Sequence, residues 1–257
     1  MQVRKYHHTH SMTSVPATEL PAGTVHLWYM SVPQTRTPLD QYLSILDEEE
    51  RCRAARFHFD RDRESFILAR TSLRCLLARY TGADPTQIRF KQDPYGKLYI
   101  HHPVSLVRFN VTHSGDCIVH AIAQGTDVGV DVEILRNSVE LASISSYFAA
   151  GEQAWLLAAD AQARDTRFFT LWTCKEAYIK ALGRGLSKPL NSFEISLAEG
   201  GEPKILSDSE DDAHLSSWRL LPFEPRRNVL GCVAVDVAST RVELRDYDSG
   251  VLLRRIV

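Results

Sequence analysis

Two short segments of this chain carry side chains able to act on a phosphate. The first is Val128-Gly129-Val130-Asp131-Val132-Glu133-Ile134. It alternates with a strand's period of two, so Asp131 and Glu133 point to one face while Val130, Val132 and Ile134 point to the other. Two carboxylates side by side on a half-buried strand repel each other and call for a cation. The second is Trp172-Thr173-Cys174-Lys175-Glu176-Ala177-Tyr178-Ile179-Lys180-Ala181, which reads as a helix with Glu176 and Lys180 one turn apart on one face. Phe168, Leu171, Trp172 and Ile179 mark that helix as substantially buried, and ionised residues near buried aromatics favour function over decoration. If this face meets the strand, three carboxylates and a lysine converge. A few hard oxygen ligands, completed by phosphate and water, are what Mg²⁺ takes. The pattern reads as a phosphoryl-transfer centre.

Weaker constellations accompany it. Phe109-Asn110-Val111-Thr112-His113-Ser114-Gly115 ends a strand in hydroxyls around one histidine, which offers donors to an anion. In Asp93-Pro94-Tyr95-Gly96-Lys97-Leu98, glycine allows close approach to the backbone and Lys97 supplies a point charge for phosphate. Alone, it reads as an ordinary hairpin turn. Arg51, Arg53, Arg56, Arg61, Arg63, Arg70 and Arg74 interleave with acids, so they form no basic stripe, although one or two could clamp a phosphate.

The elements that must position these residues can be read from periodicity. Residues 1–23 read as a flexible tail in which His7, His8 and His10 are solvated. An apolar strand follows at Val25–Met30, and a helix spans Asp62–Tyr80 with a stripe of Phe66, Ala69, Leu73, Leu76 and Leu77, ended by Gly82. Short strands follow at 88–90, 98–100, 107–111 and 117–123. After Gly125 the pattern restarts: strand 128–134, helices near 140–149 and 151–161, the helix 165–182, then strands at 192–197, 218–221, 229–237 and 242–244. The acidic stretch Ser207–Asp212 reads as a solvated loop. Two halves, 24–126 and 127–257, each with a helix on an antiparallel sheet, give an α+β class.

Bulk composition narrows the function further. The 257 residues are 44% hydrophobic, enough for one large domain or two small ones. A net charge of −2 disfavours general nucleic-acid binding. The five cysteines are scattered with no C-x-x-C pair, which argues against a zinc site or a disulfide framework. No stretch approaches a membrane span and the first residues hold no signal-peptide core, so a cytoplasmic protein is expected.

Taken in this order, Tyr95-Gly96-Lys97, Phe109–Ser114, Gly129–Glu133, Trp172–Ala181 and the following Gly183-Arg184-Gly185-Leu186-Ser187 with Pro189-Leu190 resemble the Sfp-type 4′-phosphopantetheinyl transferases. The resemblance spans roughly residues 25 to 235. Thr112 stands where serine is commoner in the family, and the hydroxyl is kept.

The resemblance implies two similar α+β halves in pseudo-twofold arrangement with a cleft between them, and a monomer. It implies transfer of the phosphopantetheine arm of coenzyme A to a serine of an apo acyl, polyketide or peptidyl carrier protein, releasing 3′,5′-ADP. Asp131, Glu133 and Glu176 would hold Mg²⁺ or Mn²⁺. Glu176 would serve as base, directly or through water. His113 would hydrogen-bond a phosphate and Lys180 would offset charge on the leaving phosphate. Gly96, Lys97, Asn110 and Thr112 would help bind coenzyme A, and Arg53 would meet its 3′-phosphate, with Arg70 the second choice. Amphipathic spacing marks Leu141, Ile144, Phe148 and Trp155 as exposed apolar residues for carrier recognition. A metal-dependent nuclease and a non-catalytic carrier-protein binder are the alternatives. The first usually places a Glu-x-Lys pair on a strand, and the second is disfavoured by the presence of all three acids with Lys175 and Lys180.

Overall fold

Segments with a period of two become strands and segments with a period of 3.6 become helices, giving a mixed α+β chain. The computed structural model describes residues 4–6, 18–32, 39–136, 141–197, 202–210, 212–236 and 241–246. His7, His8 and His10 lie outside the described residues. In chain order the elements are β1 (Arg4–Tyr6), β2 (Thr24–Ser31), α1 (Leu39–Leu43), α2 (Glu48–Ala55), α3 (Asp60–Thr81), β3 (Arg89–Gln92), β4 (Leu98–His102), β5 (Val107–Ser114), β6 (Cys117–Gln124), β7 (Val128–Ile134), α4 (Leu141–Ser145), α5 (Ala150–Leu157), α6 (Ala161–Leu182), β8 (Phe193–Ser196), β9 (Lys204–Asp208), β10 (Trp218–Phe223), β11 (Val229–Asp236) and β12 (Arg241–Asp246). No described helix is long and apolar enough to cross a membrane. None of the five cysteines is in a disulfide.

The described residues group into two units. One takes those within 1–91, 99–125 and 242–257, and the other those within 92–98 and 126–241. This differs from the sequence expectation in two places. The turn around Gly96 groups with the later residues, and the last described strand groups with the earlier ones. Arg4–Tyr6, read as part of a loose tail, forms a strand parallel to Glu243–Arg245.

In the first unit the strands lie in the order β1-β12-β2-β6-β5, with β6 antiparallel to both β2 and β5. The 22-residue helix α3 packs on β5 and buries Leu73, Leu76 and Leu77. Its core side carries a charge: Arg74 is fully buried. Its guanidinium donates to Glu50 at 2.7 Å, to Asp47 at 2.6 Å and to the carbonyls of Pro85 and Ile88, both at 2.9 Å. Those acceptors satisfy a group whose desolvation would otherwise be prohibitive.

The second unit is built on an antiparallel sheet, β10-β11-β7, with α6 laid across β7 and β11. Helix α6 starts earlier than its apolar pattern suggests, because the Asp160 side chain accepts the Ala163 amide and caps it. It ends at Gly183, whose φ of 69° is the left-handed conformation of a C-cap. The helix and strand touch backbone to backbone at Gly129. A Cβ there would overlap the Ala177 carbonyl oxygen and the Ala181 amide nitrogen and α-carbon.

Two expectations fail in this unit. The acidic stretch 207–212 is not wholly a solvated loop: β9 runs to Asp208, which is 1% exposed. Asp208 accepts Lys188 Nζ at 2.7 Å, Tyr178 Oη at 2.8 Å and the Glu210 amide at 3.0 Å. Burial raises its carboxyl pKa, but these donors outweigh that and hold it below the usual range. Phe148 is also not an exposed docking residue. It is buried, stacked on Phe168 with ring centroids 5.7 Å apart. Ile144 and Trp155 are half-buried against the same core, and the side chain of Leu141 lies outside the described residues. The large apolar side chains exposed in that region are Tyr147 and Leu157.

Because the atoms facing Gly129 are backbone, the overlap cannot be relieved by a rotamer change. Gly129→Ala should lower the unfolding free energy by about 3 kcal/mol, the upper range for overpacking. Urea unfolding of the two proteins measures it.

Candidate active site

On β7 the pleat sends Gly129, Asp131 and Glu133 toward α6. Between residues 171 and 181 of α6 the half-exposed positions are Trp172, Glu176 and Lys180, one turn apart each, while the other residues there are buried. The Gly129 contact sets the height of the helix over the strand, and Lys180 then reaches Asp131, with Nζ 2.6 Å from Oδ1. Asp131 is 5% exposed. Its cross-strand partner is Cys232, which is fully buried together with Cys174. Burial pushes the Cys232 thiol pKa well above its ordinary value. The floor of the site is therefore dry, and charges above it interact through a low effective dielectric.

Glu176 shares this field. Burial is the first cause raising its carboxyl above the usual range. The charge of Lys180 pulls it back down, and Asp131 and Glu133 push it up again. The structure thus brings together the three acids and the lysine marked by the sequence. The donor set fits a hard divalent ion. Among the described residues no group of three His, Cys, Asp or Glu side chains is arranged to hold a metal ion by itself. Mg²⁺ does not need one, since it takes one or two carboxylates and completes its shell with phosphate and water. A carboxylate set of this kind, with a lysine beside it, suits phosphoryl transfer rather than thiolate or imidazole chemistry. An open cavity of about 280 Å³ lies one helical turn away, walled by Thr173 and by Leu230, the register partner of Glu133.

The turn 93–97 belongs to the same unit. Asp93 accepts the amides of Tyr95 and Lys97, both at 2.9 Å, and Gly96 adopts a φ of 91° that favours glycine. Lys97 is engaged within the unit. Its ammonium donates to the Ala181 carbonyl at 2.6 Å and lies 3.6 Å from Asp127 Oδ1, and its side chain is 7% exposed.

The other sequence-marked residues sit in the first unit. Strand β5 runs through His113 to Ser114, past the end at residue 111 that the sequence pattern suggests. Asn110 and Thr112 therefore share one face of β5 and His113 takes the other. Thr112 is buried and His113 exposed. Arg53 is exposed on α2, with its guanidinium 5.3 Å from the Phe66 ring centre. Arg70 lies against Phe90 and 3.5 Å from Glu50.

The reading of the sequence overlooked the partner of Lys175. Its fully buried ammonium donates to Glu152 at 2.6 Å and to the Phe193 carbonyl at 2.9 Å, and lies 3.9 Å from the Phe193 ring centre. Burial pulls the lysine pKa down and pushes the Glu152 carboxyl up, each opposed by the other's charge. Glu152 also accepts the amides of Ile195 and Ala149. The pair joins α5, α6 and β8 on the side of α6 away from Glu176. Helical spacing held the signal, since Lys175 falls on the stripe of Leu171 and Tyr178.

Comparison with known proteins identifies the family. Residues 127–234 match a family model described as the 4′-phosphopantetheinyl transferase superfamily, and residues 32–125 match one described as 4′-phosphopantetheinyl transferase, N-terminal. The chain is 33% identical over 223 residues to 4′-phosphopantetheinyl transferase HetI of Nostoc sp., covering 86% of this chain and 91% of that one. It is 30% identical over 195 residues to 4′-phosphopantetheinyl transferase Sfp of Bacillus subtilis, covering 76% and 86%. It is 30% identical over 210 residues to 4′-phosphopantetheinyl transferase psf-1 of Bacillus pumilus, covering 81% and 88%. With the two family matches meeting near residue 126 and relatives aligned over most of their length, this chain belongs to the 4′-phosphopantetheinyl transferase superfamily.

Proposed function

We propose that this protein transfers the 4′-phosphopantetheine arm of coenzyme A to a serine of an apo carrier protein and releases 3′,5′-ADP. The observation that carries the reading is the Lys180–Asp131 pair with Glu176 held in the joint field of Asp131 and Glu133. The family membership supplies the substrate class.

The serine hydroxyl attacks the phosphorus bonded to pantetheine, the P–O bond to 3′,5′-ADP breaks, and the serine proton must be removed. Glu176 takes that proton, directly or through a water. A carboxylate that also binds Mg²⁺ is a poor base, so the water route ranks above direct abstraction. Lys180 places its charge where negative charge develops on the leaving phosphate. Asp131, Glu133 and Glu176 would hold Mg²⁺ or Mn²⁺, which when bound neutralises pyrophosphate charge. We assign Asn110, Thr112 and His113 of β5 to coenzyme A, with His113 donating to a phosphate. Gly96 allows backbone approach, and Arg53 meets the 3′-phosphate. A monomer acting in the cytoplasm is the proposed working form.

The test is to incubate the protein with coenzyme A, Mg²⁺ and a panel of apo carrier proteins and weigh the carriers by intact mass spectrometry. A gain of one phosphopantetheine arm that EDTA abolishes is expected. Asp131→Ala and Glu176→Ala should each abolish the gain while keeping the wild-type circular dichroism spectrum. Normal turnover by either folded variant would remove these residues from the mechanism.

The acid cluster also has a stability cost with a defined sign. Glu176 has a higher pKa in the folded protein than its ordinary 4.5, so folding favours its protonated form. Stability is lost as pH rises through the interval above 4.5 and stays low at neutral pH. Glu176→Gln should therefore raise the melting temperature at about pH 7.5 and change it little near pH 4, where the carboxyl is mostly protonated in both states; thermal denaturation at those two values measures it. A melting gain that is the same at both would contradict the charge origin.

A further inference from the structure

The last four carbonyls of a helix have no partner within it and gather partial negative charge. At the end of α6 the Gly183 amide takes the carbonyls of Ile179 and Lys180, and the Arg184 amide also takes that of Ile179. The next carbonyl, of Ala181, accepts the Lys97 ammonium at 2.6 Å. Ala181 directly follows Lys180. The same ammonium lies 3.6 Å from Asp127, the residue before β7 begins. Lys97 thus bridges the end of α6 to the start of β7, the two elements whose separation sets the Lys180–Asp131 distance. Its turn is held from a second point. Arg184 donates to Tyr95 Oη at 2.9 Å and lies 5.3 Å from the centre of that ring.

We propose that Lys97 is a positioning residue for the transfer step: through the Ala181 carbonyl and Asp127 it fixes the end of α6, and so the reach of Lys180 to Asp131. The proposal rests on the transferase reading. It replaces a direct contact between Lys97 and a coenzyme A phosphate with an indirect role. A side chain 7% exposed, whose charge already faces a helix carbonyl and a carboxylate, holds a place in the protein before any substrate arrives.

The two roles separate kinetically. A phosphate ligand holds coenzyme A in ground and transition states alike, so its loss raises KM. A positioning residue acts on the geometry of the reacting groups, so its loss lowers kcat. The experiment uses the full chain, with Lys97→Met and Lys97→Arg measured against varied coenzyme A at a saturating carrier that the wild-type protein modifies. Lys97→Met should lower kcat by about tenfold or more with KM for coenzyme A changed by less than about twofold, and Lys97→Arg, which can still donate to Ala181, should recover most of kcat. Hydrogen exchange without coenzyme A gives the second readout. Amides 181–184 should lose protection in Lys97→Met while those of β10 and β11 keep theirs. A raised KM with unchanged kcat and unchanged exchange would overturn the proposal and make Lys97 a phosphate ligand. Loss of protection throughout the sheet would overturn it in favour of a general stabilising role. Failure of the wild-type protein to modify any carrier would instead count against the transferase reading, and the exchange result would still decide whether Lys97 holds α6.

Discussion

The close approach of α6 to β7 at Gly129 is the constraint on which the rest of the site depends. With no side chain at that position, the helix backbone descends onto the strand until Ala177 and Ala181 meet it. Lys180 and Glu176 lie on the adjoining face of the same two turns. A lysine ammonium 2.6 Å from a nearly buried aspartate requires that approach, because a helix held one methyl group higher would place its charges out of register with the strand. Glycine in the G-V-D-V-E segment is thus a packing requirement that also sets the reach of Lys180 to Asp131.

Around that contact the protein holds its helices with buried ion pairs. Lys175 with Glu152 ties α6 to α5 and β8, and Lys188 with Asp208 ties the loop after α6 to β9, which Tyr178 also reaches. Arg74 does the same for α3 in the first unit. Such pairs add little net stability compared with apolar residues of the same volume. Removing one partner leaves a buried charge and costs about 3–5 kcal/mol, so each pair disfavours alternative packings. The acid centre has the opposite character. Its charges repel, Glu176 is pushed toward its protonated form, and the strain is concentrated where substrate chemistry is proposed.

The placement of the β7 and α6 charges was legible in the sequence because their spacing is local. A period of two over 128–134 and a period of 3.6 over 165–182 place Asp131, Glu133, Glu176 and Lys180 on known faces before any tertiary structure is considered. What it revealed poorly depends on distant partners. Asp208 looks solvated within an acidic run, and it is buried because Lys188 and Tyr178 come to it from other elements. Phe148 fits an exposed amphipathic face, but the rings of Phe168 and Trp172 cover it. Lys97 reads as an open charge on a turn, and no local pattern announces the Ala181 carbonyl that it meets 84 positions later. The grouping of the last described strand with the first unit is another long-range pairing, set by β12 lying beside β2.

The measurement that reaches the centre of this picture most directly is calorimetric titration of Mg²⁺ into the protein in the presence of coenzyme A. We expect saturable binding that Asp131→Asn abolishes and that falls away in parallel with phosphopantetheine transfer when Mg²⁺ is withdrawn. Binding that survives Asp131→Asn unchanged, or transfer that proceeds in full with Mg²⁺ chelated, would contradict the assignment of the β7 and α6 acids as the divalent-ion site of the reaction.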